Sequence, residues 1–180
     1  MKITVKYQFA NMLLMHLAAL GVTFVFGVVV FGYLLDKAVW KEVFSVLFMA
    51  VYAGMLYVRA RKFGVFDSKP YTPLKPNKIK GLMFGVVIAA VTLGLFALMR
   101  FIGKVFPSGH EAGGVITATV FYFLFFPFNG IMNLHDGIAS WYSIALMAAV
   151  PIAACFTGYT LGCKNISILE KFNQSMYEKK

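Results

Sequence analysis

Residues 7–35 read YQFANMLLMHLAALGVTFVFGVVVFGYLL, 29 consecutive positions without a formal charge between Lys6 and Asp36. At about 1.5 Å per residue, a helix of that length exceeds the ~30 Å hydrocarbon core of a bilayer. Inside lipid every backbone donor and acceptor must be bonded within the protein, which a helix achieves alone and an isolated strand does not. The run is continuously apolar rather than alternating, so it lacks the pattern of a barrel strand. It is the first of several such runs. Uncharged stretches of 16, 19, 24 and 27 residues lie between Glu42 and Arg59, Lys80 and Arg100, Glu111 and Asp136, and Asp136 and Lys164. These runs predict helices over about 9–34, 42–60, 80–103, 113–126 and 139–162. The second run is shorter than a full span, but Arg59 can extend it by reaching toward the interface.

Composition supports the same reading. The 180 residues are 60% hydrophobic and only 13% charged, against about a quarter charged in soluble domains. The expected fold is an all-α, polytopic transmembrane helix bundle formed by residues 1–163, followed by a tail over 164–180 in which Ile166, Leu169, Phe172 and Tyr177 intersperse with Glu170, Lys171 and Lys179. That tail suits a surface-lying amphipathic helix. Lys2 and Lys6 give the N-terminus a basic start, but the apolar run behind them is longer than a signal core and is read as a retained first span. No second domain and no internal repeat is evident.

The net charge is +10, and it is collected between the apolar runs, which excludes a nucleic-acid-binding face and favours orientation in a membrane with anionic headgroups. Arg59, Arg61, Lys62, Lys69, Lys75, Lys78 and Lys80 stand against Asp67 alone. The positive-inside rule places this loop, about 61–79, in the cytoplasm of a cell (inner) membrane protein. Pro70, Pro73 and Pro76 give it an extended path, suited to a stiff connector or a docking strip for lipid phosphates or a partner.

The number of spans turns on residues 105–136. If they cross the membrane, there are five spans, with nine Lys plus Arg inside and eight outside. If they dip in from the outer face and return, there are four spans, with thirteen inside and four outside. The charge bias favours four spans plus an outer re-entrant element, with both termini cytoplasmic. Pro127 beside Asn129-Gly130 supplies a helix breaker and a turn.

Few residues carry chemistry. Gly81/Gly85 and Gly158/Gly162 are small-xxx-small pairs that let helices approach closely. His16, within the first span near Asn11, is expected to hydrogen-bond to a neighbouring helix. Cys155 and Cys163 are eight residues apart on one helix, too far for a disulfide, and no cofactor is expected. The tetrapeptide Pro107-Ser-Gly-His110 resembles the central motif of the type 2 phosphatidic acid phosphatase family, in which the Ser and His hold and protonate a phosphoryl group at the outer end of a membrane helix. The chain has no Arg-Pro pair for that family's first motif and no arginine after Arg100 for its third. Apart from the family, a re-entrant segment would bring His110 and Glu111 near His135 and Asp136, a set able to bind a divalent metal or exchange protons.

These features favour a non-catalytic subunit or accessory of a membrane complex, in contact with anionic headgroups and with a membrane-protein partner or a second copy. A small transporter or channel for a lipid-like or aromatic solute is the alternative, with Asn11 and His16 lining its cavity. An outer-face lipid-phosphate enzyme using His110 and His135 is the third reading.

Overall fold

A computed structural model describes residues 4–34, 38–72, 74, 76–105, 123–128 and 141–165. The described chain is helical: α1 (Val5–Leu34), α2 (Ala38–Asp67), α3 (Lys78–Val105), a 3-10 turn (Phe126–Phe128) and α4 (Trp141–Cys163), with no strand among the described residues. Among the described residues four helices are long and apolar enough to cross a membrane, over Val5–Val30, Val43–Asp67, Ile79–Ile102 and Ile144–Cys163. Their side chains are distributed in reverse of a water-soluble protein. Leu14, Phe26 and Phe101 point outward, each more than 60% exposed, whereas Gln8, His16 and Thr92 are buried at 0–2%. Such a surface is stable in hydrocarbon and not in water.

Helix directions follow from the contacts. Gly64 of α2 lies against Tyr159 and Cys163 of α4, and Gly158 and Gly162 of α4 lie against Tyr57 and Arg61 of α2. The two helices are therefore parallel, side by side at their C-terminal ends. Gly81 and Gly85 of α3 meet α4 in the opposite order, at Cys155 and Tyr159 and then at Pro151 and Ile152, so α3 and α4 are antiparallel. Gln8 near the start of α1 bonds to Asp67 at the end of α2, so these too are antiparallel. One end of the bundle, the basic end, thus gathers the start of α1, the end of α2, the start of α3 and the end of α4. α3 ends and α4 begins together at the other end. This order of the described helices fits four spans.

The described part of that connection, 123–128, is inserted between helices. Phe126 fills a notch at Gly27 that any side chain there would occupy, and its ring stands edge-on to Phe24 and Phe48. Phe125 stands edge-on to Phe96 at 5.5 Å, and Phe128 to Tyr52 at 5.8 Å. Ser45 donates to the Pro127 carbonyl at 3.0 Å, satisfying a backbone acceptor that the tight turn leaves open. The insertion forms an aromatic plug at the end of the bundle opposite the basic one.

Several helix boundaries differ from the sequence reading: α1 begins at Val5 rather than near 9, and α2 begins at Ala38 rather than near 42. α2 continues to Asp67 rather than stopping near residue 60, because Arg59, Arg61 and Lys62 are good helix formers once at headgroup depth. The connector shrinks to 68–77. Asn77 caps α3 by accepting from the Ile79 amide at 3.0 Å, and Thr4 accepts from the Tyr7 amide at the start of α1. The amphipathic tail falls, from residue 166 onward, outside the described residues.

Candidate polar sites inside the bundle

Two buried polar groups organise the interior. The first joins α1, α2 and α3 midway along their length. His16, Tyr52 and Thr92 are 1%, 0% and 2% exposed. The Thr92 hydroxyl donates to the Ile88 carbonyl at 2.9 Å, so toward His16 Nε2, at 3.5 Å, it can only accept. An imidazole protonated on Nε2 satisfies this arrangement, with Nδ1 accepting from the Tyr52 hydroxyl 2.9 Å away. Both ring nitrogens then face a partner hydroxyl.

The second group closes the basic end, and each of the four helices supplies one member. Asp67 of α2 is 1% exposed. Lys80 of α3 donates to its Oδ2 at 2.5 Å, Tyr159 of α4 to the same oxygen at 2.7 Å, and Gln8 of α1 to Oδ1 at 2.8 Å. The carboxylate is thus neutralised by one cation and held by two further donors. A buried charge is tolerated only with compensation of this kind. The Tyr159 hydroxyl in turn accepts from the Asn77 amide at 3.5 Å. Gln8 Oε1 is buried without a partner among the described residues.

A third pairing lies about two turns of α2 further into the bundle. Arg59 Nε donates to Asn11 Oδ1 at 2.5 Å, and the guanidinium carbon sits 5.1 Å from the centre of the Phe63 ring. Asn11, like His16, therefore points at another side chain rather than into an open chamber. A half-open apolar groove of about 310 Å³ does exist between α1 and α2, walled by Val22, Phe26, Phe44, Leu47 and Val51 among others. The Thr23 hydroxyl on its wall is folded back onto the Ala19 and Leu20 carbonyls. This groove offers no polar contact.

The residues singled out from sequence fall into three sets. The four glycines Gly81, Gly85, Gly158 and Gly162 face other helices of the same chain. Among the basic residues, Lys62 and Lys69 are exposed, Arg59 and Arg61 are half-buried and Lys80 turns inward to Asp67; the side chains of Lys75 and Lys78 lie outside the described residues. His110, Glu111, His135 and Asp136 also lie outside them, as does the Pro107–His110 motif. Among the described residues there is no group of three or more His, Cys, Asp or Glu able to hold a metal.

Sequence reading passed over Asp67, Gln8, Tyr159, Tyr52 and Thr92. A signal was present for one of them: Asp67 is the lone acid among seven cations between Arg59 and Lys80, which invites an ion pair. Its partners Gln8 and Tyr159, 59 and 92 residues away, had no such mark. Compared with known proteins, the chain matches no family model, no curated protein and no solved structure. Fold and geometry therefore define it as a polytopic α-helical membrane protein.

Proposed function

We propose that this protein is a non-catalytic subunit of a larger assembly in the cell membrane, with its basic end and both chain ends in the cytoplasm. The observation carrying this reading is that the charged and hydrogen-bonding side chains Asn11, His16, Arg59 and Asp67 within the spans bond to other side chains of the bundle, although Gln8 Oε1 and the Tyr57 hydroxyl are buried without a partner among the described residues. His16 is held by Tyr52 and Thr92, Asn11 by Arg59, and Asp67 by three donors. A transporter needs polar groups facing a water-accessible site near mid-membrane. Among the described residues, the Asp67 group fills the basic end, and Phe125, Phe126 and Phe128 pack between helices toward the other. What the bundle does offer is a rigid body with an exposed cationic face, including Lys62 and Lys69, at one end. Orientation rests on the thirteen-to-four distribution of Lys plus Arg and on the positive-inside rule.

The test is the mass of the protein extracted from its own membrane at native abundance with a mild detergent. A complex holding the 20.0 kDa chain in fixed ratio with a different membrane protein, dissociated by Lys62→Glu with Lys69→Glu, is expected. A stable monomer, or a species made only of copies of this chain, would refute it.

A further inference from the structure

We propose that Arg59, with Lys62, forms a binding site for the phosphate of an anionic phospholipid in the leaflet at the basic end. Arg59 lies within the span Val43–Asp67, eight residues, or about 12 Å along the helix, before its end. A cation at that depth is costly unless paired. The one carboxylate whose side chain is described, Asp67, already bonds to Lys80, Tyr159 and Gln8. Among the described residues no other Asp or Glu bonds to Arg59, so its charge is uncompensated within the described bundle.

The guanidinium is nonetheless fixed. Asn11 holds Nε at 2.5 Å and the Phe63 ring lies against the group. The two terminal amino groups remain, presenting the fork that binds a phosphate through two parallel hydrogen bonds. Fixing the side chain beforehand also lowers the entropy lost when a ligand binds. Lys62 follows three residues later on the same helical face and is exposed. Val58, on the adjoining outward surface, is 44% exposed. The site therefore opens sideways toward lipid as well as toward the interface.

Depth matches a headgroup rather than bulk solvent. α2 has 30 residues and is about 45 Å long, longer than the ~30 Å hydrocarbon core, so its last turns stand among the headgroups. Two cations with no bonded acid among the described residues select a lipid of net negative charge over a zwitterionic one, whose own ammonium would be repelled.

The experiment uses the full chain, purified in detergent and exchanged in parallel against phosphatidylglycerol, phosphatidylcholine or inorganic phosphate, with retained ligand read by native mass spectrometry. About one phosphatidylglycerol per chain is expected to survive where phosphatidylcholine does not. Arg59→Gln is expected to weaken that retention by about tenfold to a hundredfold, the effect of one charge-assisted fork. Arg59→Lys, which keeps the charge and loses the fork, should fall between the two. Thermal unfolding in lipid-free detergent controls for folding, and Arg59→Lys keeps the test open if Arg59→Gln does not fold. Equal retention of both lipids, undiminished phosphatidylglycerol on Arg59→Gln and Arg59→Lys, or displacement of the lipid by millimolar inorganic phosphate would overturn the assignment.

Discussion

Replacing Asp67 by Asn removes one charge and almost no volume, which isolates the electrostatics of the basic end. In the native protein the Lys80 and Asp67 side chains are 10% and 0% exposed, so water contributes little screening. Asn can still bond to Tyr159 or Gln8, but the Lys80 ammonium is left buried without a counter-charge. Removing one partner of a buried pair costs about 3–5 kcal/mol, and the surviving hydrogen bonds place Asp67→Asn near the lower end. Lys80→Met leaves the opposite orphan, a carboxylate held by two neutral donors, with a similar cost of about 3 kcal/mol. The double variant has no uncompensated charge, and exchanging a buried pair for uncharged groups is often close to neutral. The two single effects are therefore strongly non-additive, with a coupling of about 2 kcal/mol or more. Reversible SDS titration in mixed micelles, followed by circular dichroism, measures all four corners of the cycle. Native stability in Asp67→Asn, or a double variant as weak as the sum of the singles, would refute the reasoning.

Three other substitutions probe the packing. Tyr52→Phe strips His16 Nδ1 of its donor and should cost about 0.6–1.7 kcal/mol in the same titration, the range for neutral hydrogen bonds between membrane helices; no change would mean that the bond is not formed. Gly162→Leu places a side chain against the Arg61 backbone, so α4 must move off α2, and a loss of about 1–3 kcal/mol or more is expected from overpacking. Unchanged stability in Gly162→Leu would contradict the close α2–α4 contact. Phe126→Ala empties the notch at Gly27 and the space between Phe24 and Phe48; the expected cost is about 3–5 kcal/mol, and a cost below about 1 kcal/mol would show that the plug is not packed there.

The spans were legible because a bilayer imposes a composition on whatever crosses it. The run 7–35 has no other reading, and the charge distribution correctly weighed four spans against five. The end of α2 was not legible, since charged residues mark an interface without saying whether the backbone remains helical through it. The Asp67 group was hidden for a different reason. Its members come from four helices, and Gln8 and Tyr159 look in sequence like ordinary residues near helix ends. Only the antiparallel order of α1 and α2, and the parallel order of α2 and α4 fixed by Gly64, Gly158 and Gly162, bring them to one carboxylate. The His16 group illustrates the intermediate case: a hydrogen bond to another helix was foreseeable, while its partners Tyr52 and Thr92 were not.

The arrangement of four crossings, with α3 ending and α4 beginning at the same end of the bundle, underlies every placement above. It is tested most directly by labelling with a membrane-impermeant maleimide. In a Cys155→Ala, Cys163→Ala background, Ser68→Cys and Lys164→Cys are introduced singly, both at exposed positions. The two are expected to react from the same face of sealed vesicles and to be protected together when the vesicles are inverted. Reaction of the two positions from opposite faces would contradict the four-span bundle.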